Sequence, residues 1–156
     1  MRSVRCVVAL CLAFVFSDDT GATPPSQAFA TDAARAELSA ARSLKCEFPW
    51  FASADWDRDA PVLKSSKQQF GFHIDGIDRA KNAARLIGNA GAEDLIVLGN
   101  FDATAFIEQT PAGYLNVTTV YGWKDTGGRF KAVHSRHVAI GGPAPSQNYG
   151  YCQAWQ

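Results

Sequence analysis

The sequence predicts a mainly β protein, an antiparallel meander of about eight strands closing into a small up-and-down, lipocalin-like barrel, with a short N-terminal helix. Three observations carry this. From Leu44 onward, short apolar or alternating runs are separated by turn residues. Most of these runs follow one another at hairpin spacing, and closing such a meander removes its exposed edges. The length of 156 residues suits one domain, and a hydrophobic content of 47% is enough for a packed core. A β-sandwich is the runner-up.

The elements follow in order. Residues 31–43 are alanine-rich, with Asp32 as a candidate N-cap and Leu38 as the only large apolar residue. Such a helix has little to bury, so the segment reads as a frayed helix or a flexible lead-in. Residues 44–50 form a first strand, 52–61 an aspartate-rich loop, and 62–65 a short, weakly paired segment. Residues 69–77 alternate, with Phe70, Phe72 and Ile74 on one face and Gln69, His73 and Asp75 mostly on the other.

Residues 78–89 admit two readings. Asp78 caps a helix whose Ala80, Ala83, Ala84 and Ile87 fall at helical spacing, with Gly88 as its stop. Alternatively, a turn over 78–81 leads into a strand through Arg85, Leu86 and Ile87. Further strands are expected over 95–98, 104–109, 114–123, 129–140 and 149–155, with a Gly/Pro loop over 141–148. On the strand over 114–123, Leu115, Val117, Thr119, Tyr121 and Trp123 share one face.

Residues 1–30 read as an address rather than as fold. Arg2 and Arg5 precede an apolar run over 6–16 that is too short to span a bilayer. Ala28-Phe29-Ala30 matches a small-x-small cleavage pattern, and Ala22 marks a second candidate site. Leu10 stands before Cys11 where lipidation requires a small residue. An uncleaved anchor is the competing reading. The domain plan is therefore a signal peptide over 1–30, a lead-in over 31–43 and a single β-domain over 44–156. The protein is expected to be exported, periplasmic or secreted, with no stable membrane span after signal removal.

Cysteine usage agrees with export. Cys6 and Cys11 lie in the signal, which leaves Cys46 and Cys152 near opposite ends of the domain as natural disulfide partners. Closing so long a loop is worth about 4–5 kcal/mol in the chain-entropy model. The formal net charge is zero, which argues against a general nucleic-acid binder and against a polybasic membrane anchor.

The polar cluster His134-Ser135-Arg136-His137 is the strongest chemical signal. On a strand, Phe130, Ala132, His134, Arg136, Val138 and Ile140 point one way, while Val133, Ser135 and His137 point the other. An inward His134 and Arg136 would place an imidazole and a guanidinium in a desolvated pocket. Such a pair suits an anion or acid–base work. The plainer reading is a structural pair bonded to backbone, Asp75 or Glu108. Tyr121 and Trp123 are expected as the apolar wall of the same barrel mouth.

No metal or cofactor is assigned. His134 and His137 are split across a strand, and His73 and Asp75 could join them only through the fold. Gly-x-Ser-x-Gly and a phosphate-binding glycine loop are absent from the sequence. The same split opposes two-histidine phosphodiester cleavage assisted by Lys131. Trp50, Trp56, Tyr149, Tyr151 and Trp155 either fill a core or line a cavity, with Trp56 expected to be exposed. Asn116-Val117-Thr118 is a glycosylation sequon, relevant only in a eukaryotic secretory path.

Ala84-Arg85-Leu86-Ile87-Gly88-Asn89, Phe106-Ile107-Glu108, Thr118-Thr119-Val120-Tyr121, Phe130 through His137, and Pro145-Ser146-Gln147 occur in this order along the chain. In these residues the chain resembles a family of small exported bacterial proteins with no assigned activity, over about residues 44–156. The stretch 130–137 is the most specific part. The resemblance implies an envelope or secreted location and a strand over 82–89, which we adopt. It transfers no activity.

The leading expectation is a non-enzymatic exported barrel that binds a small ligand or an envelope protein through His134, Arg136, Tyr121 and Trp123. The alternatives are a small hydrolase or isomerase using a His/Arg site, and a structural or inhibitory envelope protein acting through a surface.

Overall fold

The computed structural model describes residues 31–89, 91–139 and 141–155. The signal-peptide assignment and both cleavage sites lie outside the described residues. The chain forms a helix, α1 (Asp32–Ala40), and the strands β1 (Leu44–Asp57), β2 (Ala60–Lys67), β3 (Gly71–Asp78), β4 (Ala83–Gly88), β5 (Gly91–Gly99), β6 (Ala103–Gln109), β7 (Leu115–Lys124), β8 (Phe130–Ala139) and β9 (Pro143–Ala154). Each pairs antiparallel with its neighbour in the order β2-β1-β3-β4-β5-β6-β7-β8-β9, and β1 also pairs with β9. The result is a closed 8-stranded barrel with β2 as an extra strand.

β1 changes partners along its length. Leu44 to Glu47 pair with β3 on one side and β9 on the other, whereas Trp50 to Asp57 pair with β2. At the switch, Glu47 opposes Tyr151 and Trp50 opposes Tyr149, so Phe48 and Pro49 together face Gly150. This is a bulge, and Pro49 fits it because a bulged position need not donate to the ladder. Gly150 is demanded by the crossing. A Cβ there would strike Glu47 O and lie 2.6 Å from Phe48 Cα.

The segment expected as a loop over 52–61 is instead the far part of the β1–β2 hairpin, turning at Arg58 and Asp59. Cross-strand pairing of Trp50–Asp57 with Ala60–Lys67 overrides the polar composition. The loop expected over 141–148 is likewise mostly strand, since β9 begins at Pro143 and pairs with β8. Before Ser146, β9 is paired on one side only, so Pro143 and Pro145 can sit where a missing N–H costs nothing.

The ambiguous stretch resolves as a turn and a strand. Asp78 Oδ1 accepts from Ala80 N at 3.0 Å and Lys81 N at 3.1 Å. β4 then buries Ala84, half-buries Leu86 and exposes Arg85 between them. β3 carries a second irregularity at Gly76, whose φ of +61° turns Ile77 inward after Ile74.

Residues 31–43 hold the expected short helix, well capped rather than frayed. Thr31, one residue before the expected Asp32, is the N-cap and accepts from Ala34 N at 3.1 Å. Arg79 donates to Leu38 O at 2.7 Å and Ala41 O at 2.9 Å, which satisfies the orphan carbonyls of the last turn. The helix does have something to bury. Leu38 is 3% exposed, and with Ala34 and Ala41 it joins the barrel core at one end.

The core runs from that end inward through Leu44, Ile74, Ile77, Leu95, Val97, Phe106, Val120 and Phe130. The disulfide is formed as expected. Cys46 and Cys152 are directly opposed on β1 and β9, 106 positions apart in sequence, and both are buried. It staples the two strands that close the barrel.

Candidate functional site

The wall made by β7, β8, β9 and β1 carries two different surfaces. Its inward face follows from Cys152. With that side chain buried, alternation places Gly150 and Asn148 inward on β9. Phe130 opposes Cys152, so Phe130, Ala132 and His134 are inward on β8. Val120 opposes Ala132 and Thr118 opposes His134, so Asn116, Thr118 and Val120 are inward on β7.

His134 is therefore inside the barrel, 3% exposed. Its Nδ1 lies 2.9 Å from Thr118 Oγ1. The rings of Phe72, Phe70 and Phe48 stand 5.3, 5.4 and 5.9 Å from the imidazole centroid. Burial first, and the Arg136 charge second, push its pKa down to about 4. The imidazole is neutral at pH 7.

Other polar groups fill the lumen beside it. Asn148 Nδ2 donates to His134 O at 3.2 Å, and Gln68 Nε2 donates to Asn148 Oδ1 at 2.5 Å. Asn116 Nδ2 donates to Glu108 Oε2 at 2.8 Å. Asn116 Oδ1 is buried without a partner. Arg136 lies two residues further along the same face and is exposed at the rim. Neither Asp75 nor Glu108 bonds to His134. Asp75 accepts from Ser43 Oγ at 2.5 Å, while Glu108 serves Asn116. Apart from Asn116 Oδ1, the buried polar side chains at this level bond to one another or to backbone.

The other histidines are elsewhere. His137 points to the outer side of β8, as strand alternation requires, and is exposed. His73 stacks on Trp155 with centroids 5.5 Å apart. Among the described residues there is no group of three His, Cys, Asp or Glu side chains placed to hold a metal ion.

Tyr121 and Trp123 do not join His134. They belong to the outward set Leu115, Val117, Thr119, Tyr121 and Trp123, while the buried alternates are Asn116, Thr118, Val120 and Gly122. The expected four-residue mouth is thus divided between the two sides of one wall. The reason is register: Thr118, and neither aromatic, stands across from His134.

What Tyr121 and Trp123 do form is an open groove of about 540 Å³ on the outer wall. They meet edge to face at 6.3 Å and 71°. Trp50, Tyr149 and Tyr151 from β1 and β9 complete the aromatic lining, and among the described residues Lys131 is its only charged member. Trp50 is 50% exposed and Tyr149 42%. Lys131 and Val133 on β8, with the backbone at Ala132 and Gly150, complete its lining between the rings. Composition alone leaves Trp50, Tyr149 and Tyr151 either filling a core or lining a cavity; they line a groove on the outer wall. The parity of Cys152 was the available signal that Tyr151 and Tyr149 face outward.

A larger open cleft of about 840 Å³ lies where β1 parts from β3, between Phe48, Phe70 and Gln68 on one side and Lys45, Glu47 and Arg129 on the other. Its charged groups are spent on neighbours. Lys45 pairs with Glu47 at 3.2 Å and Arg129 with Asp125 at 2.7 Å. The smaller aromatic groove offers exposed rings and an unspent cation, so it is the better recognition surface.

No known protein family, curated protein or solved structure matches this chain.

Proposed function

We propose that this is an exported binding protein whose ligand or partner segment seats in the aromatic groove on the outside of the barrel. The observation that carries the reading is the convergence of Trp50, Tyr121, Trp123, Tyr149 and Tyr151 around one open concavity. Large rings left in water at a concave site are what recognition surfaces retain and what a folding core would have buried. Export is supported by the disulfide. No helix among the described residues is long and apolar enough to cross a membrane.

Catalysis by His134 has less support than binding. An acid or base must reach its substrate. This imidazole is enclosed by phenylalanine rings and Thr118. Its low pKa follows from that enclosure and is not evidence of catalytic tuning.

Native mass spectrometry of the mature protein from its own host's envelope tests the proposal. A retained ligand should disappear with Trp123→Ala or Tyr121→Ala and persist with Arg136→Ala. Loss with Arg136→Ala alone would move the site back to the barrel mouth. A clean apo mass, together with no partner captured in a groove-dependent way, would remove the binding reading.

A second reading, an envelope protein acting through a surface, is favoured by a separate patch. Ile96, Leu98 and Leu115 on β5 and β7 are 55%, 52% and 47% exposed. Loss of a captured partner with Ile96→Lys, but not with Trp123→Ala, would select it.

A further inference from the structure

Resting on the groove as the binding site, we propose that its occupant is an acidic saccharide, with sugar rings stacked on Trp50, Tyr121 and Trp123 and a sugar carboxylate held by Lys131.

The shape comes first. The groove's volume of about 540 Å³ is ample for a small oligosaccharide, and it is open to solvent along its length. A wholly apolar ligand would leave much of its surface in water there. A pyranose ring has the matching asymmetry. One face presents C–H bonds, and the edges carry hydroxyl groups that remain hydrated.

The ring chemistry agrees. Indole and phenol faces carry the negative lobe of the aromatic quadrupole, which attracts the slightly positive C–H face of a sugar. Tyr121 and Trp123 meet at 71°, so they offer two surfaces at a corner rather than one flat platform. The phenols of Tyr121 and Tyr151 supply polar groups able to bond sugar hydroxyls, while Tyr149 Oη donates to Gln147 Oε1 and can only accept.

Charge then narrows the class. Among the described residues Lys131 is the only charged group lining the groove, and the Lys67 ammonium stands 5.0 Å over the Trp50 ring. Among the described residues neither lysine forms an ion pair. The nearby carboxylates of Glu47 and Asp125 are held by Lys45 and Arg129. The groove is locally cationic on a chain with no net charge. Two lysines are too few to follow a phosphate backbone, which sets single-stranded nucleic acid aside.

The test is isothermal titration of the mature protein at low salt with trigalacturonate, set against a neutral galactose-based trisaccharide. Trigalacturonate should bind and the neutral sugar should bind more weakly. Trp123→Ala should weaken trigalacturonate by about tenfold. Lys131→Gln should weaken it by about fivefold and flatten its salt dependence, the scale of one exposed ion pair. Trp155→Ala, outside the groove, is the control and should change nothing. Equal binding of the neutral sugar, or indifference to Lys131→Gln, would overturn the acidic assignment while leaving the groove as the site. No response to either sugar, with a protein partner that Trp123→Ala releases, would overturn the saccharide alone. Saccharide binding untouched by Trp123→Ala would overturn the groove itself.

Discussion

Thr118 Oγ1 lies 2.9 Å from His134 Nδ1 on the inner side of the wall whose outer side carries Tyr121 and Trp123. The imidazole is folded in as a neutral, hydrogen-bonded core group, and this has a consequence for stability. Its pKa of about 4 in the fold compares with 6.5 in an open chain. Between these values the unfolded chain takes up a proton that the native barrel refuses. Stability therefore falls as pH drops from about 6.5 toward 4, by about 3 kcal/mol in all, and is level below that window as far as this group is concerned. Urea denaturation at pH 7 and pH 4.5 should show the loss. His134→Gln should remove most of the difference between the two.

The disulfide closes the barrel, so its removal should act on the whole domain. Replacing Cys46 and Cys152 together by alanine should lower the unfolding free energy by about 4–5 kcal/mol. A denaturation midpoint unchanged by the double replacement would refute the staple. Because both sulfurs are buried, thiol reductants should act on the native protein only through its unfolding.

Gly150 is the position at which the β1 bulge lies closest to β9. Gly150→Ala would drive a methyl carbon into Glu47 O and Phe48 Cα. Backbone cannot yield as a flexible side chain does, so the cost should reach about 3 kcal/mol or more. Gly142→Ala, where a Cβ meets open space, is the matched control and should be nearly silent in a thermal melt.

Helix α1 seals one end of the barrel through Leu38 and Ala34. Leu38→Ala should cost about 2–5 kcal/mol, the range for emptying a buried leucine site. Arg79→Ala should cost about 1–2 kcal/mol by removing the guanidinium donors to the carbonyls of Leu38 and Ala41. In hydrogen exchange, the amides of 34–41 should lose protection in both variants before those of β7 and β8 do. Equal loss everywhere would mean that the helix is part of the barrel's own cooperative unit.

Several features are legible in the residues alone. The turn residues and alternating runs announce a β-meander, hairpin order follows from their spacing, and two domain cysteines leave one pairing. The periodicity that sets Phe130, Ala132 and His134 on one face of β8 is equally plain. What periodicity does not say is which face of a strand is inside. On β7 the more aromatic set, with Tyr121 and Trp123, faces solvent, and the set with Asn116 and Thr118 is buried. Hydrophobicity alone points the other way.

The decision lies in register. Cys46 must meet Cys152, and that pair fixes the parity of β9, then of β8, then of β7, across hydrogen bonds between distant segments. Cross-strand pairing also turns the aspartate-rich 52–57 and the Ala60-Pro61 pair into the β1–β2 hairpin and makes Pro143 to Asn148 part of β9. It also gives α1 a barrel end to cover. Local composition carries no information about the partner that supplies these contacts. The sequence determines the class, the order of strands and the staple; only the closed barrel decides that His134 is sealed within it and that the aromatic rings stand outside.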